Sequence, residues 1–185
     1  MARRVRRLAV VALLLLVAGA VALVLTTRPR LEDRRDDVDR AWTPLRAPLA
    51  GRYEQLAGVN AQMAAAGAGD RSVTKALGTT LARWDQLRRA GDGDADAAAA
   101  AETANRLEGL ATRVGVVVLT SDRLKGVDPL NQALAAFQGT TPPPPAVKTY
   151  NDAAQEYEDT RNSTLRRPVA WLFGYESRPQ LLLGT

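Results

Sequence analysis

The chain has no cysteine and no histidine. The first absence excludes disulfides and thiolate chemistry. The second removes the commonest general base, the side chain that titrates near neutral pH and the commonest zinc ligand. Aromatics make up only 5% of the residues, so a core must be built mainly from Ala, Leu and Val. So few rings also supply no stacking platform for single-stranded nucleic acid. There is no Gly-rich phosphate loop and no nucleophile elbow. No stretch alternates apolar and polar residues with the period of a strand. The expectation is therefore an all-α protein without catalytic residues, cofactor-binding residues or metal ligands.

What is abundant is arginine: of 25 basic residues, three are lysine. The net charge of +5 is concentrated at the start, in Arg3, Arg4, Arg6 and Arg7. Without these four the balance is +1, so the remainder carries no basic face of the kind that nucleic acid requires. A length of 185 residues fits one modest domain plus an appendage.

The appendage is apolar. Leu8 to Leu25 is an uninterrupted run without a charge, and Thr26 and Thr27 extend it. As a helix it spans about 27–30 Å, enough for the hydrocarbon core of a bilayer. Ala18-Gly19-Ala20 offers a signal-cleavage site, but the run continues past it for longer than a typical signal core. Residues 8–27 are therefore expected to be an uncleaved transmembrane anchor whose partner is the lipid bilayer, preceded by a basic cytoplasmic tail, 1–7. Arginines flank the run on both sides, but acids balance only the second set. Long domains cross largely regardless of charge, whereas a tail with four Arg crosses with difficulty. The soluble domain is expected outside the cell membrane.

Thr27-Arg28-Pro29 is expected to break the membrane helix, because Pro disfavours helix at the preceding residue. That makes residues 28–37 a charged juxtamembrane linker and 38–185 a helical-bundle domain. Val38, Trp42, Leu45, Leu49, Tyr53, Leu56 and Met63 form one helical stripe, with Pro44 and Pro48 marking a kink or late start. Gly67 to Asp70 ends it, and Asp70 or Ser72 is placed to cap the next helix. Val73, Leu77, Leu81, Trp84 and Leu87 make a second stripe. A third seam runs through Leu107, Leu110, Val114, Val117, Ser121 and Leu124. It carries the β-branched run Val116-Val117-Val118 inside a helix without a break. Leu130, Leu134 and Phe137 mark a short segment. The Pro-rich stretch 140–146 interrupts the helical register. A last helix presents Val147, Tyr150, Ala154, Tyr157, Arg161 and Leu165 on one face. The whole reads as an antiparallel bundle of long helices behind one anchor.

Short motifs add little. Asp92, Asp94 and Asp96 have the spacing that opens a calcium loop, but the defining Gly and Glu positions hold Ala97 and Thr103. They read instead as an acidic helix start. Asn162-Ser163-Thr164 fits a glycosylation triplet of no specificity. Glu102, Glu108, Glu156, Glu158 and Asp159 read as a solvated, charge-laced face. Tyr150 and Tyr157, one heptad apart, project from the same side of a helix. They suit seam packing with hydroxyls at the bundle edge, or a recognition face.

Three ordered features give the chain a family likeness. A short tail and single span are followed by Val38-Asp39-Arg40-Ala41-Trp42, then by a helix with Leu49, Arg52, Leu56, Val59 and Asn60. Near the end stand Tyr150-Asn151-Asp152-Ala153-Ala154-Gln155-Glu156-Tyr157-Glu158, Pro168, and Ala170-Trp171-Leu172-Phe173-Gly174-Tyr175 to Pro179. In this order they resemble the LemA family of bacterial membrane proteins, whose patterns read V-D-x-A-W, Y-N-x-A-V-x-x-Y-N and G-L-F-G-F-x-x-x-P. The resemblance covers nearly the whole length. It departs at Pro142 to Pro145, where the family continues a helix, and at Glu158, where the family has Asn. It implies a membrane-anchored helical bundle without established enzymatic activity, with a suspected role in membrane organisation or in assisting envelope proteins. Trp42, Tyr53, Tyr150, Asn151, Tyr157, Trp171, Phe173 and Gly174 are the candidate interaction residues. Two roles are open: an envelope-facing scaffold or interaction module, and an extracytoplasmic sensor that binds a small ligand.

Overall fold

The computed structural model describes the backbone of residues 2–90 and 96–183, with their side chains except at 2–10, 12 and 96. Every element among the described residues is helical. Helix α1 is Ala2–Trp42, and a 3-10 turn, Thr43–Leu45, joins it to α2, Arg46–Met63. Helix α3 is Ser72–Arg89, α4 is Asp96–Thr120 and α5 is the single turn Asp122–Lys125. Helix α6 is Asp128–Gly139, α7 is Pro144–Asn162 and α8 is Arg167–Leu172.

One expectation fails at the start. Pro29 does not break the first helix, which runs through it from the apolar segment to Trp42. The segment 28–37 is helix, not linker. Pro29 removes one backbone bond, but two other effects outweigh that loss. Arg28 pairs with Glu32 at 2.8 Å and Arg34 with Asp37 at 3.4 Å, each within the helix. Leu31 and Val38 are fully buried. Pro44 lies in the first turn of the 3-10 segment that separates α1 from α2.

The apolar part of α1 is long enough to cross a membrane. It contains an 18-residue window of mean hydropathy 1.6, only 6% of which is buried. A helix of this composition inside a soluble core would be covered instead. Leu13 to Val17 stand free of the bundle, whereas Leu23 and Val24 are half-buried and Thr27 is buried. The bundle therefore begins at the last turn of the apolar run.

From there four rods pack side by side. The C-terminal half of α1 lies on α7 and α2 lies on α6, so α1–α2 and α6–α7 form two rods packed on each other. Residue numbers run in opposite directions along them: Arg34 meets Glu156, Trp42 meets Tyr150 and Arg52 meets Thr140. Helix α3 descends from the Gly67 turn, and α4 ascends beside it to Ser121, which takes a bond from Arg71 at 3.3 Å. The predicted stripe from Val38 to Met63 is buried at every position. On α3, Leu77, Trp84 and Leu87 are buried as expected. Two aromatic pairs fasten neighbouring rods: Trp42 on Tyr150 at 5.2 Å, and Tyr53 edge-on to Trp84 at 4.8 Å.

The third helix ends sooner than its seam suggests, although the last seam residue, Leu124 on α5, is fully buried. Helix α4 stops at Thr120, and Ser121 is extended before α5 starts. Val118 is buried, while Leu119 is 73% exposed. Three β-branched valines and Thr120 weaken the helix there. The cap expected at Asp70 or Ser72 is also absent: Arg71 holds the N-cap position without a side-chain bond. The proline run behaves differently at its two ends. Residues 140–143 are non-helical, but Pro144 and Pro145 occupy the first turn of α7, where a missing N–H costs nothing. The interruption is therefore shorter than 140–146. Leu165 lies beyond α7 and does not share its buried face. Of the acidic triplet, Asp92 and Asp94 lie outside the described residues, and Asp96 is described by its backbone alone.

Candidate functional site

The densest concentration of long-range polar bonds among the described residues surrounds the C-terminal segment, Tyr175 to Leu183. Helix α8 ends in a Schellman reversal: Tyr175 N donates to Ala170 O at 2.9 Å and Gly174 N to Trp171 O at 3.3 Å. Gly174 has φ +68°, which a side chain would strain. This turn sends the chain back up the bundle as an extended segment between α7 and α4.

Tyr157 and Tyr150 lie in the seam, 1% and 0% exposed. Their hydroxyls reach out of it and donate to the segment's backbone, Tyr157 to Glu176 O at 2.8 Å and Tyr150 to Pro179 O at 2.9 Å. The heptad spacing of the two tyrosines places them about 10.5 Å apart along the helix axis. That matches a three-residue step in an extended chain. Burial pushes both hydroxyls to higher pKa, so they remain protonated donors.

Two asparagines hold the segment from either side. Asn151 on α7 bonds both backbone groups of Leu181: its Nδ2 donates to the carbonyl at 3.1 Å, and its Oδ1 accepts from the N–H at 2.8 Å. Asn105 on α4 donates to Gln180 O at 2.7 Å and accepts from Leu182 N at 2.7 Å. Glu158 accepts from Arg178 N at 2.7 Å and from Ser177 Oγ at 2.8 Å. Arg161 donates to Tyr175 O at 2.9 Å. Only two contacts read side chains that are buried: Leu181 is 3% exposed, and Arg178, 4% exposed, pairs with Asp39 at 3.0 Å.

The groove thus holds the chain's own C-terminal segment mainly by its backbone. Paired donor–acceptor side chains on helices can hold any extended sequence in this way, with specificity left to the few buried side chains. Beneath the segment, Arg35, Ala98, Tyr157 and Arg178 border a cavity of about 190 Å³. This is smaller than the cavities of roughly 300–1,000 Å³ that enclose small ligands.

The remaining candidate residues fall into two groups. Trp42 and Tyr53 are core, at 3% and 1% exposure, and take no part in the groove. Trp171 and Phe173 are exposed at the lower end, and Gly174 makes the reversal. Tyr150 and Tyr157 are not a free recognition face, because the protein's own tail covers their hydroxyls.

Sequence reasoning missed Asn105, Glu158 and Arg178 as members of this site. It also misread Glu108, which is buried rather than part of a solvated face. Glu108 grips Arg52 through two bonds, Arg52 Nε to Oε1 at 2.7 Å and Nη2 to Oε2 at 2.8 Å. The available signal was positional: Glu108 lies four residues after Ala104 and three before Ala111, both buried on one face of α4. Comparison of the chain with protein-family models, with curated proteins and with solved structures finds no match in any of the three.

Proposed function

We propose that this chain is a membrane-anchored, non-enzymatic interaction module of the LemA kind, an antiparallel helical bundle whose α4–α7 groove takes an extended peptide. The observation that carries the reading is the pair of asparagines. Asn105 and Asn151 each offer one donor and one acceptor to the backbone of a single passing strand. Residues 8–27 anchor the module in the bilayer, with the bundle on the extracytoplasmic side and envelope proteins as its partners. The groove's own tail occupies the place that a partner's extended segment would take.

The test uses the full chain shortened after Ser177, in detergent, with residues 178–185 supplied as a separate peptide. Saturable binding is expected, and Asn105→Ala with Asn151→Ala should abolish it. A folded, shortened chain that binds no peptide would sink the reading. Orientation is checked separately with a protease-cleavable tag after Thr185 in intact cells. Protection of that tag would place the bundle inside.

A further inference from the structure

The groove accounts for the polar end of the C-terminal region but not for the apolar one. Helix α8 buries Val169 and Ala170, at 4% and 3% exposure. The next residues turn the other way: Trp171 is 84% exposed, Leu172 66% and Phe173 43%, with Leu165 nearby in sequence at 72%. An exposed cluster of large apolar side chains marks an interaction surface. In a chain with nine aromatic residues in all, placing Trp171 and Phe173 in solvent is a costly use of them.

The position of the cluster names its occupant. Helix α8 packs on α1. The Arg28 guanidinium lies 5.5 Å over the Phe173 ring, and Tyr175 donates to Glu32 at 3.2 Å. Arg28 is the first charge after the apolar run, so Phe173 stands at the level where that run ends. Leu23 and Val24, one to two turns deeper, are already half-buried, so protein overlaps the end of the run. The cluster is flanked by Arg28 and Arg167, both exposed, and by the half-buried Arg166. Tryptophan beside apolar residues, with arginines around them, is the composition that settles at the boundary between acyl chains and headgroups.

We propose that Leu165 and α8, with Trp171, Leu172 and Phe173, form an interfacial wedge that enters the same bilayer as α1 while the arginines meet lipid phosphates. This rests on residues 8–27 being a membrane span. Six residues of helix would bind a membrane weakly alone, but attachment to the span gives the wedge a high effective concentration at the surface. The Schellman reversal at Gly174 fixes its angle, and Tyr150 and Tyr157 hold the chain that leaves it. The wedge therefore makes a second membrane contact and sets the tilt of the bundle.

The test is the fluorescence of the full chain in vesicles of phosphatidylcholine and phosphatidylglycerol. Subtracting the spectrum of Trp171→Phe isolates Trp171, since Trp42 and Trp84 are buried in the bundle. Trp171 is expected to emit at a blue-shifted wavelength and to lose most of its emission to lipids brominated near the headgroup. Bromines near the chain ends should quench it less. Alkaline carbonate extraction of the same vesicles separates the two readings. If the chain resists extraction but Trp171 is unquenched and red-shifted, the wedge is wrong and the span stands. A blue-shifted Trp171 that no brominated lipid quenches means that protein covers it, which also overturns the wedge. If carbonate releases the chain, the span falls and the wedge with it. Protease protection of the wild-type bundle should rise with the phosphatidylglycerol content of the vesicles, and Trp171→Ser with Leu172→Ser should remove that rise while unfolding at the wild-type midpoint; an equal rise in both proteins overturns the wedge.

Discussion

Arg52 and Glu108 form a buried, two-pronged ion pair 56 residues apart in sequence, joining α2 to α4. Arg52 does more than neutralise the carboxylate. Its Nη1 donates to Phe137 O at 3.1 Å and to Thr140 O, and its guanidinium lies 4.1 Å over the Phe137 ring. Those carbonyls belong to the C-terminal end of α6, where helical backbone lacks intrahelical partners and attracts cations. One arginine thus holds α2, α4 and the end of α6 together, just before the prolines. The Glu108 carboxylate in turn keeps the Arg52 pKa raised.

The pair is expected to be strongly asymmetric to mutation. Arg52→Met leaves a buried carboxylate and takes a donor from Thr140 O, while Phe137 O keeps its bond from Thr140 N, and Glu108→Leu leaves a buried guanidinium. Either single change should cost about 3–5 kcal/mol of stability. The double variant should recover most of that loss, since no buried charge remains. Urea denaturation of the four proteins in detergent reads the cycle, and a double variant as unstable as the singles contradicts this account.

The tail contacts predict a local effect instead. Asn151→Ala removes two hydrogen bonds to Leu181, each worth about 1 kcal/mol. Asn105→Ala removes two more, to Gln180 and Leu182. Hydrogen exchange of residues 178–183 should accelerate markedly in both variants. The amides of α2 and α3 should keep their protection, because both asparagines that hold the tail lie on other helices, α4 and α7. Uniform acceleration throughout the bundle would show that the tail is part of the global fold.

These two sites differ in how legible they were. The buried face from Val38 to Met63 could be read because a helix repeats its core contacts every three or four residues, and α7 shows Tyr150, Ala154 and Tyr157 for the same reason. Arg52 and Glu108 lie on such faces, but a lone charge in a stripe does not reveal its partner 56 residues away. The tail has no periodicity at all. Its backbone bonds depend on where α4 and α7 stand in space, so Asn105 carried no mark before the fold was known. Pro29 failed as a breaker because tertiary burial of Leu31 and Val38, with intrahelical ion pairs, outweighs the loss of one bond.

Gly67 makes the reversal between α2 and α3 with φ +74°. A Cβ there would lie 2.5 Å from Arg123 Nη2 on α5. The arginine tip can move aside, but the backbone angle remains unfavourable for any L side chain. Gly67→Ala should therefore lower stability by about 1 kcal/mol. A thermal midpoint equal to that of wild type would mean that the turn relaxes.

Alkaline pH should unlock the bundle through its tyrosines. Burial pushes the hydroxyls of Tyr53, Tyr150 and Tyr157 above their ordinary value of about 10. In the unfolded chain these groups lose their protons near that ordinary value, while the folded chain retains them. Above about pH 10 the folded state binds more protons than the unfolded one, so stability falls as pH rises. The contribution is whole below that value and is lost as pH climbs through the folded pKa values. Tyrosinate absorbance should rise in two stages: first Tyr175, the least enclosed, then the other three together with loss of helix. Tyr157→Phe should weaken the tail, since it frees Glu176 O, yet shift the second stage to higher pH by removing one titrating group. Four tyrosines ionising singly near pH 10 while the helical signal is unchanged would refute the burial of their hydroxyls.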